Sequence, residues 1–107
     1  QFPELVLLHA TPNGGYRKRV EAARMHGEGV RAGVPDLHLP VARGPWSALW
    51  IEMKLPGREE EKHGGLSEAQ QWWLAKLAYF GNRAEVCYGK DEAIEVIKEY
   101  LTWENTD

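Results

Sequence analysis

Gly33-Val34-Pro35-Asp36-Leu37-His38-Leu39-Pro40, followed by Leu49-Trp50-Ile51-Glu52-Met53-Lys54, is the stretch that decides how this chain folds. Each half is a short apolar run bounded by Gly or Pro. That predicts two strands, with the turn between them around Arg43-Gly44-Pro45. Alternate side chains of a strand share a face, so Glu52 and Lys54 point one way and Met53 the other. Paired as a hairpin, the two strands bring Asp36 beside Glu52. Two carboxylates and an ammonium then converge among apolar neighbours. Carboxylates that close repel unless a cation sits between them, and oxygen ligands of this type suit Mg²⁺ or Mn²⁺.

Outward from this pair, residues 5–9 form an apolar run that predicts a first strand. Pro12-Asn13-Gly14-Gly15 is a turn, where glycine supplies positive φ. Residues 16–25 have helical spacing, with Tyr16, Val20 and Ala23 on one face, and residues 26–33 are a Gly-rich connection. Residues 56–65 are a charged loop. Residues 67–80 predict a strong helix stopped by Gly81-Asn82. Residues 83–88 predict a strand, and 91–101 a last amphipathic helix with Ile94, Ile97, Tyr100 and Leu101 inward. The order β, α, β, β, α, β, α predicts an α/β sandwich with a mixed sheet. It is read as one domain over residues 1–107, without repeats or a linker.

At 107 residues the chain can bury one core, and its 43% hydrophobic content fits a folded chain rather than a disordered one. No apolar run approaches the roughly 20 residues of a membrane span, and no signal-peptide pattern is present. The single Cys87 rules out an internal disulfide and suits a reducing cytoplasm, the expected location. The net charge of −3 is unevenly spread. Residues 1–58 hold eight Lys or Arg against five Asp or Glu, a balance of +3, which leaves −6 for the remainder. Phosphate binding follows the local field rather than the sum. Arg17, Lys18, Arg19, Arg24 and Arg31 therefore form the phosphate-facing patch, although a solvated charged face explains any one of them alone.

Gly33-x-Pro35-Asp36 followed by Glu52-x-Lys54 resembles the core of the PD-(D/E)xK nucleases, and more narrowly their VRR-NUC branch, the virus-type replication-repair nucleases. Pro12-Asn13-Gly14-Gly15 with Arg17, the segment 29–33, and Leu66-Ser67-x-x-Gln70 agree with that resemblance, which runs from about residue 5 to residue 101. A lone Glu-x-Lys reads as an exposed ion pair on a strand; the ordered set is what is specific. The resemblance implies a restriction-endonuclease-like α/β core and an Mg²⁺- or Mn²⁺-dependent endonuclease acting on DNA. Asp36, Glu52 and the backbone carbonyl of Met53 would hold the ion. Lys54 would orient or deprotonate the attacking water, or steady charge on the phosphate. It also implies that the loop at Asn13 and Gly14 lies near the substrate backbone, where glycine permits close approach. Family members have an N-terminal helix carrying a Glu and a Gln. This chain opens at the segment that follows it, so that helix is expected to be absent, with Glu21 a possible substitute acid.

Ser67-x-x-Gln70 is a capping box by spacing, yet Gln70 also stands in register with Trp73, Leu74 and Leu77, the face expected on the sheet. A catalytic Gln70 is compatible with the cap. His38 shares a face with Asp36 on an ideal strand. No His-x₃-His or Cys-His spacing points to structural zinc, and His9, His26 and His63 fit packing, loop or solvent roles. Trp72 and Tyr79 form a second aromatic stripe, off the core face, that predicts a homodimer. Small phage-type members of the family then suggest cutting of four-way (Holliday) junctions or other branched DNA. The competing readings are a monomeric flap or nicking nuclease, a non-catalytic DNA-binding module of the same fold, and an Mg²⁺-dependent enzyme on a small phosphate ester. The last lacks a GxxxxGK[ST] phosphate loop.

Overall fold

The computed structural model describes residues 1–12 and 32–104. The first helix expected from the sequence, residues 16–25, lies outside them. The hairpin is as its alternation requires: β2 (Leu37–Leu39) pairs antiparallel with β3 (Leu49–Lys54), with Leu37 opposite Ile51 and Leu39 opposite Leu49. Its turn closes where Arg43 and Trp46 exchange backbone hydrogen bonds of 3.0 and 2.8 Å around Gly44. On the far side of β2 lies β1 (His9–Ala10), also antiparallel. On the far side of β3 lies β4 (Arg83–Tyr88), parallel to it. Parallel neighbours need a crossover, and α1 (Glu68–Tyr79) supplies it. The chain then closes with α2 (Lys90–Leu101). The four strands stand in the order β1-β2-β3-β4, a mixed sheet with helices flanking it.

One face of the sheet makes the core. Leu39, Leu49, Ile51 and Cys87 are buried against Ala93, Ile97, Tyr100 and Leu101 of α2. The Tyr100 hydroxyl, fully enclosed, donates to the Val41 carbonyl at 2.7 Å and so fixes α2 to the loop that leaves β2. Truncating a residue in such a core costs about 2–5 kcal/mol, so the strands have little freedom to slide. The period-2 alternation sends Trp50, Glu52 and Lys54 to the opposite face, where α1 lies.

Two expectations are corrected. Residues 5–9 are not a strand: Pro3–Leu7 is a 3₁₀ turn, Leu8 is extended but unpaired with the sheet, and only His9 and Ala10 form β1. Pro3 sits at the first helical position, where its missing N–H costs nothing, and Glu4 pairs with Arg43. The run Leu5-Val6-Leu7 has no polar alternation to set a strand face, and all three are exposed. Ile94 does not face the core. It is 46% exposed, because the inward stripe of α2 runs through Ala93, Ile97, Tyr100 and Leu101, the spacing i, i+4, i+7, i+8 of one helix face.

Candidate active site

Continuing the β2–β3 register by one residue sets Asp36 opposite Glu52. The next pair would be Pro35 and Met53. Proline has no N–H to give to a ladder, so that pair cannot close. Met53 N–H instead donates to Asp36 Oδ2 at 2.8 Å. The N–H and C=O of one strand residue leave the same side of the backbone, so the Met53 carbonyl also points to this edge, where Pro35 offers it no donor. Thr11 holds the corner. Its N–H donates to the Asp36 carbonyl at 2.8 Å and its hydroxyl to the Pro35 carbonyl at 2.6 Å. Pro35 thus stops the ladder at the position that turns an aspartate and a carbonyl toward Glu52. Neither Thr11 nor this function of Pro35 stands out in the sequence reading; the missing N–H beside Asp36 was the available signal.

Glu52 is 2% exposed, the one buried charged side chain among the described residues. Gln70 Nε2 donates to its Oε2 at 3.0 Å, while Oε1 has no hydrogen-bond donor among the described residues. Burial, first, and the neighbouring Asp36 charge, second, push its pKa up to about 8 from an ordinary 4.5. Lys54 pulls the other way, and protonation lets Glu52 donate to Asp36, a further upward push. Two carboxylates, one with an unsatisfied buried oxygen, and a carbonyl turned to the same gap are hard oxygen donors. Such a set fits a small divalent cation, with a proton as the alternative occupant. No cluster of three His, Cys, Asp or Glu side chains that could hold a metal occurs among the described residues, so among these residues the Met53 carbonyl is what brings the oxygen donors to three.

The two readings of Gln70 turn out to be one geometry. Ser67 caps α1: Gln70 N–H donates to Ser67 Oγ at 3.1 Å, and Ser67 N–H donates to Gln70 Oε1 at 2.9 Å. The other end of the same amide reaches Glu52. Gly33 is what allows α1 to come so close. Its φ is +96°, and a Cβ there would lie 2.7 Å from the Ala69 Cβ, so no L side chain fits. Lys54 is half-buried at the end of β3 beside Tyr88, whose hydroxyl donates to the Gly64 carbonyl at 2.8 Å and ties the 62–65 turn to the sheet. His38 stays out of the carboxylate pair. It stacks on Trp50 with ring centroids 3.7 Å apart, and His9 meets its edge at 5.1 Å. Burial and then the His9 charge lower its pKa. Asn13, Gly14, Arg17, Lys18, Arg19, Arg24 and Arg31, together with Glu21, lie outside the described residues.

The burial of Glu52 has a consequence for stability. Between about 4.5 and 8 the folded chain holds a proton that the unfolded chain has released, so stability falls as pH rises through that window. Glu52→Gln mimics the protonated acid and removes the slope. With EDTA present, the variant is expected to melt about 5 °C or more above the wild type at pH 9 and close to it at pH 4.5. Parallel melting curves for the two proteins across this range would show that the carboxylate is not buried in solution.

A mixed sheet with Asp36 and Glu52-Met53-Lys54 facing each other on adjacent strands defines the PD-(D/E)xK class of α/β nucleases. The model of the VRR-NUC domain matches residues 4–91. Among solved structures, a chain described as "VRR_NUC domain protein" superposes with a TM-score of 0.79 at 33% identity, over 98% of this chain and 75% of its own. No curated protein matches. The chain belongs to the VRR-NUC family. It is therefore a nuclease domain of the PD-(D/E)xK type, and its partner is DNA.

Proposed function

We propose that the chain is a divalent-metal-dependent DNA endonuclease, with Mg²⁺ or Mn²⁺ held by Asp36, Glu52 and the Met53 carbonyl. The carrying observation is the buried Glu52 whose Oε1 has no donor among the described residues, set opposite Asp36 where Pro35 ends the ladder. The ion, when bound, supplies Lewis-acid stabilisation of the phosphate and lowers the pKa of water. Asp36 and Glu52 hold the negative charge that retains it, Glu52 giving up its proton as it does so. Gln70 keeps the Glu52 carboxylate turned to the site. Lys54, on the same strand face, orients the attacking water and balances charge gathering on the phosphate. Arg17, Lys18, Arg19, Arg24 and Arg31 with the Asn13-Gly14 loop supply the contacts to the DNA backbone. Cleavage assays on a four-way junction, a flap, a linear duplex and a small phosphodiester, with Mn²⁺ and with EDTA, test the reading. Branched DNA should be cut and only with the ion. Equal cleavage in EDTA, or hydrolysis of the small ester alone, would overturn it.

Selectivity for four-way junctions rests on assembly. Trp72 and Tyr79 on α1 are 39% and 80% exposed, and Phe80, which the periodicity did not single out, is 71% exposed beside Tyr79. Trp103, which could have covered this stripe, packs on Trp46 instead. An exposed aromatic patch of this kind favours a second copy of the chain, and a two-fold dimer sets two sites at a fixed separation for paired incision. Light scattering at micromolar concentration is expected to give twice 12.2 kDa, and Tyr79→Asp with Phe80→Asp the single mass. The monomer mass for the wild type would favour the flap or nicking reading.

A further inference from the structure

Gln70 meets two partners with two ends of opposite character. Its Oε1 accepts from Ser67 N–H at 2.9 Å, and its Nε2 donates to Glu52 Oε2 at 3.0 Å. Reversing the amide would set two donors against each other at Ser67 and two oxygens against each other at Glu52, so only one orientation satisfies both. Glu52 alone would fix that orientation when ionised. It is less decisive when Glu52 is protonated, since a carboxylic acid can donate as well as accept. Ser67 N–H has no such ambiguity; it is always a donor. The start of α1 is meanwhile anchored without this contact, by Gly33 lying against Ala69 and by Leu66 N–H donating to the His63 carbonyl at 3.1 Å.

We propose that Ser67 is a positioning residue of the active centre: its backbone N–H fixes the Gln70 amide so that the donor end holds Glu52 Oε2 and leaves Oε1 to the ion. The helix cap and the carboxylate are thereby one device, and Ser67 acts on the site without touching it. This rests on the reading of Asp36 and Glu52 as the ion site, but the orientation of Gln70 can be tested apart from it.

Ser67 has φ −75° and ψ 168°, and Leu66 before it is extended at φ −88°, ψ 139°. Both conformations accept proline at position 67. Ser67→Pro thus deletes the N–H and the hydroxyl with little strain, whereas Ser67→Ala deletes only the hydroxyl. The two should melt within a few degrees of each other. Ser67→Ala is expected to lose about 3-fold in kcat and in Mn²⁺ affinity, and Ser67→Pro about 30-fold in both, the range of partners that orient a metal ligand. Gln70→Glu keeps the cap, since an N3 glutamate accepts from the N-cap N–H as well as glutamine does. It sets an oxygen against Glu52 Oε2 where the amide had a donor, so the metal-free variant should melt below the wild type and lose about 100-fold in kcat.

Independently of any ion or DNA, the side-chain NH₂ resonances of Gln70 in the metal-free protein should be displaced from free-amide positions in the wild type. They should return toward those positions in Ser67→Pro and stay displaced in Ser67→Ala. Identical Gln70 resonances in wild type and Ser67→Pro would overturn the proposal whatever the activities. So would equal kcat losses for the Pro and Ala variants at equal stability. A wild type that binds no Mn²⁺ and cuts no DNA would overturn the nuclease reading instead, leaving the resonance comparison to decide the role of Ser67.

Discussion

Asp36→Asn and Glu52→Gln each lose DNA cleavage by about 10³-fold or more, equivalent to about 4 kcal/mol of transition-state stabilisation. Both substitutions keep the shape of the site. The Asn oxygen can still accept from Met53 N–H, the bond that Asp36 Oδ2 makes at 2.8 Å, so the corner after Pro35 should persist. The Gln at position 52 can still accept from Gln70. What each variant removes is one of the two negative charges that a divalent cation needs. Mn²⁺ affinity measured by calorimetry should fall with the cleavage rate, and raising Mn²⁺ should restore part of the rate if weaker binding is the cause. The two variants differ in one respect. Asp36→Asn removes the charge that helps hold the Glu52 pKa near 8, so Glu52 should then titrate lower. Wild-type cleavage by either variant, or cleavage by Asp36→Asn in EDTA, would remove the carboxylate pair from the reaction.

Much of this site could be read from the order of residues because strand registers follow simple rules. Alternation put Glu52 and Lys54 on one face, the Gly44-Pro45 turn fixed the hairpin, and together these set Asp36 opposite Glu52, as the register Leu37 to Ile51 has it. The mixed sheet was readable as well; that β4 runs parallel to β3 comes from α1 crossing between them. The depth of Glu52 was not readable. A strand that alternates Trp50, Glu52, Lys54 looks like a solvated face until α1 is laid over it, and the closeness of α1 depends on a glycine, Gly33, thirty-six residues before the Ala69 it touches. The raised pKa follows from that depth, so it too was hidden.

Other mismatches have local causes. The apolar run at residues 5–9 carries no period, and a short apolar run cannot tell strand from turn; Pro3 and the Glu4–Arg43 pair decide for the 3₁₀ turn. Ile94 was one residue from the inward stripe, and on a helix one residue is about 100° of rotation. Ser67-x-x-Gln70 shows the opposite case. The capping pattern was plain in the sequence, but a cap and a contact to the site read as rival roles until both ends of the amide are seen engaged.

Lys54→Ala is expected to lose cleavage by about 10²- to 10³-fold while the site keeps its ion. The expectation of retained binding follows from two opposing charges. The ammonium lies on the same strand face as Glu52 and lowers the Glu52 pKa; without it, Glu52 holds its proton to higher pH and competes less well for an ion near neutrality. The same ammonium repels a divalent cation at the carboxylates, so its loss favours binding once Glu52 is ionised. Lys54 acts on the Glu52 pKa less than burial and Asp36 do, so its loss raises that pKa only modestly. At pH 9 Glu52 is ionised in the variant as well, the second effect prevails, and Mn²⁺ affinity should match or exceed that of the wild type. At pH 6.5 the first should show as weaker binding. Lys54→Arg retains charge but replaces a compact ammonium by a broad planar group, and should recover only part of the rate. Calorimetry at the two pH values, beside single-turnover cleavage, separates these effects. Loss of Mn²⁺ binding at pH 9 in Lys54→Ala would make Lys54 a structural support of the ion site, and an unimpaired single-turnover rate would take it out of the chemistry.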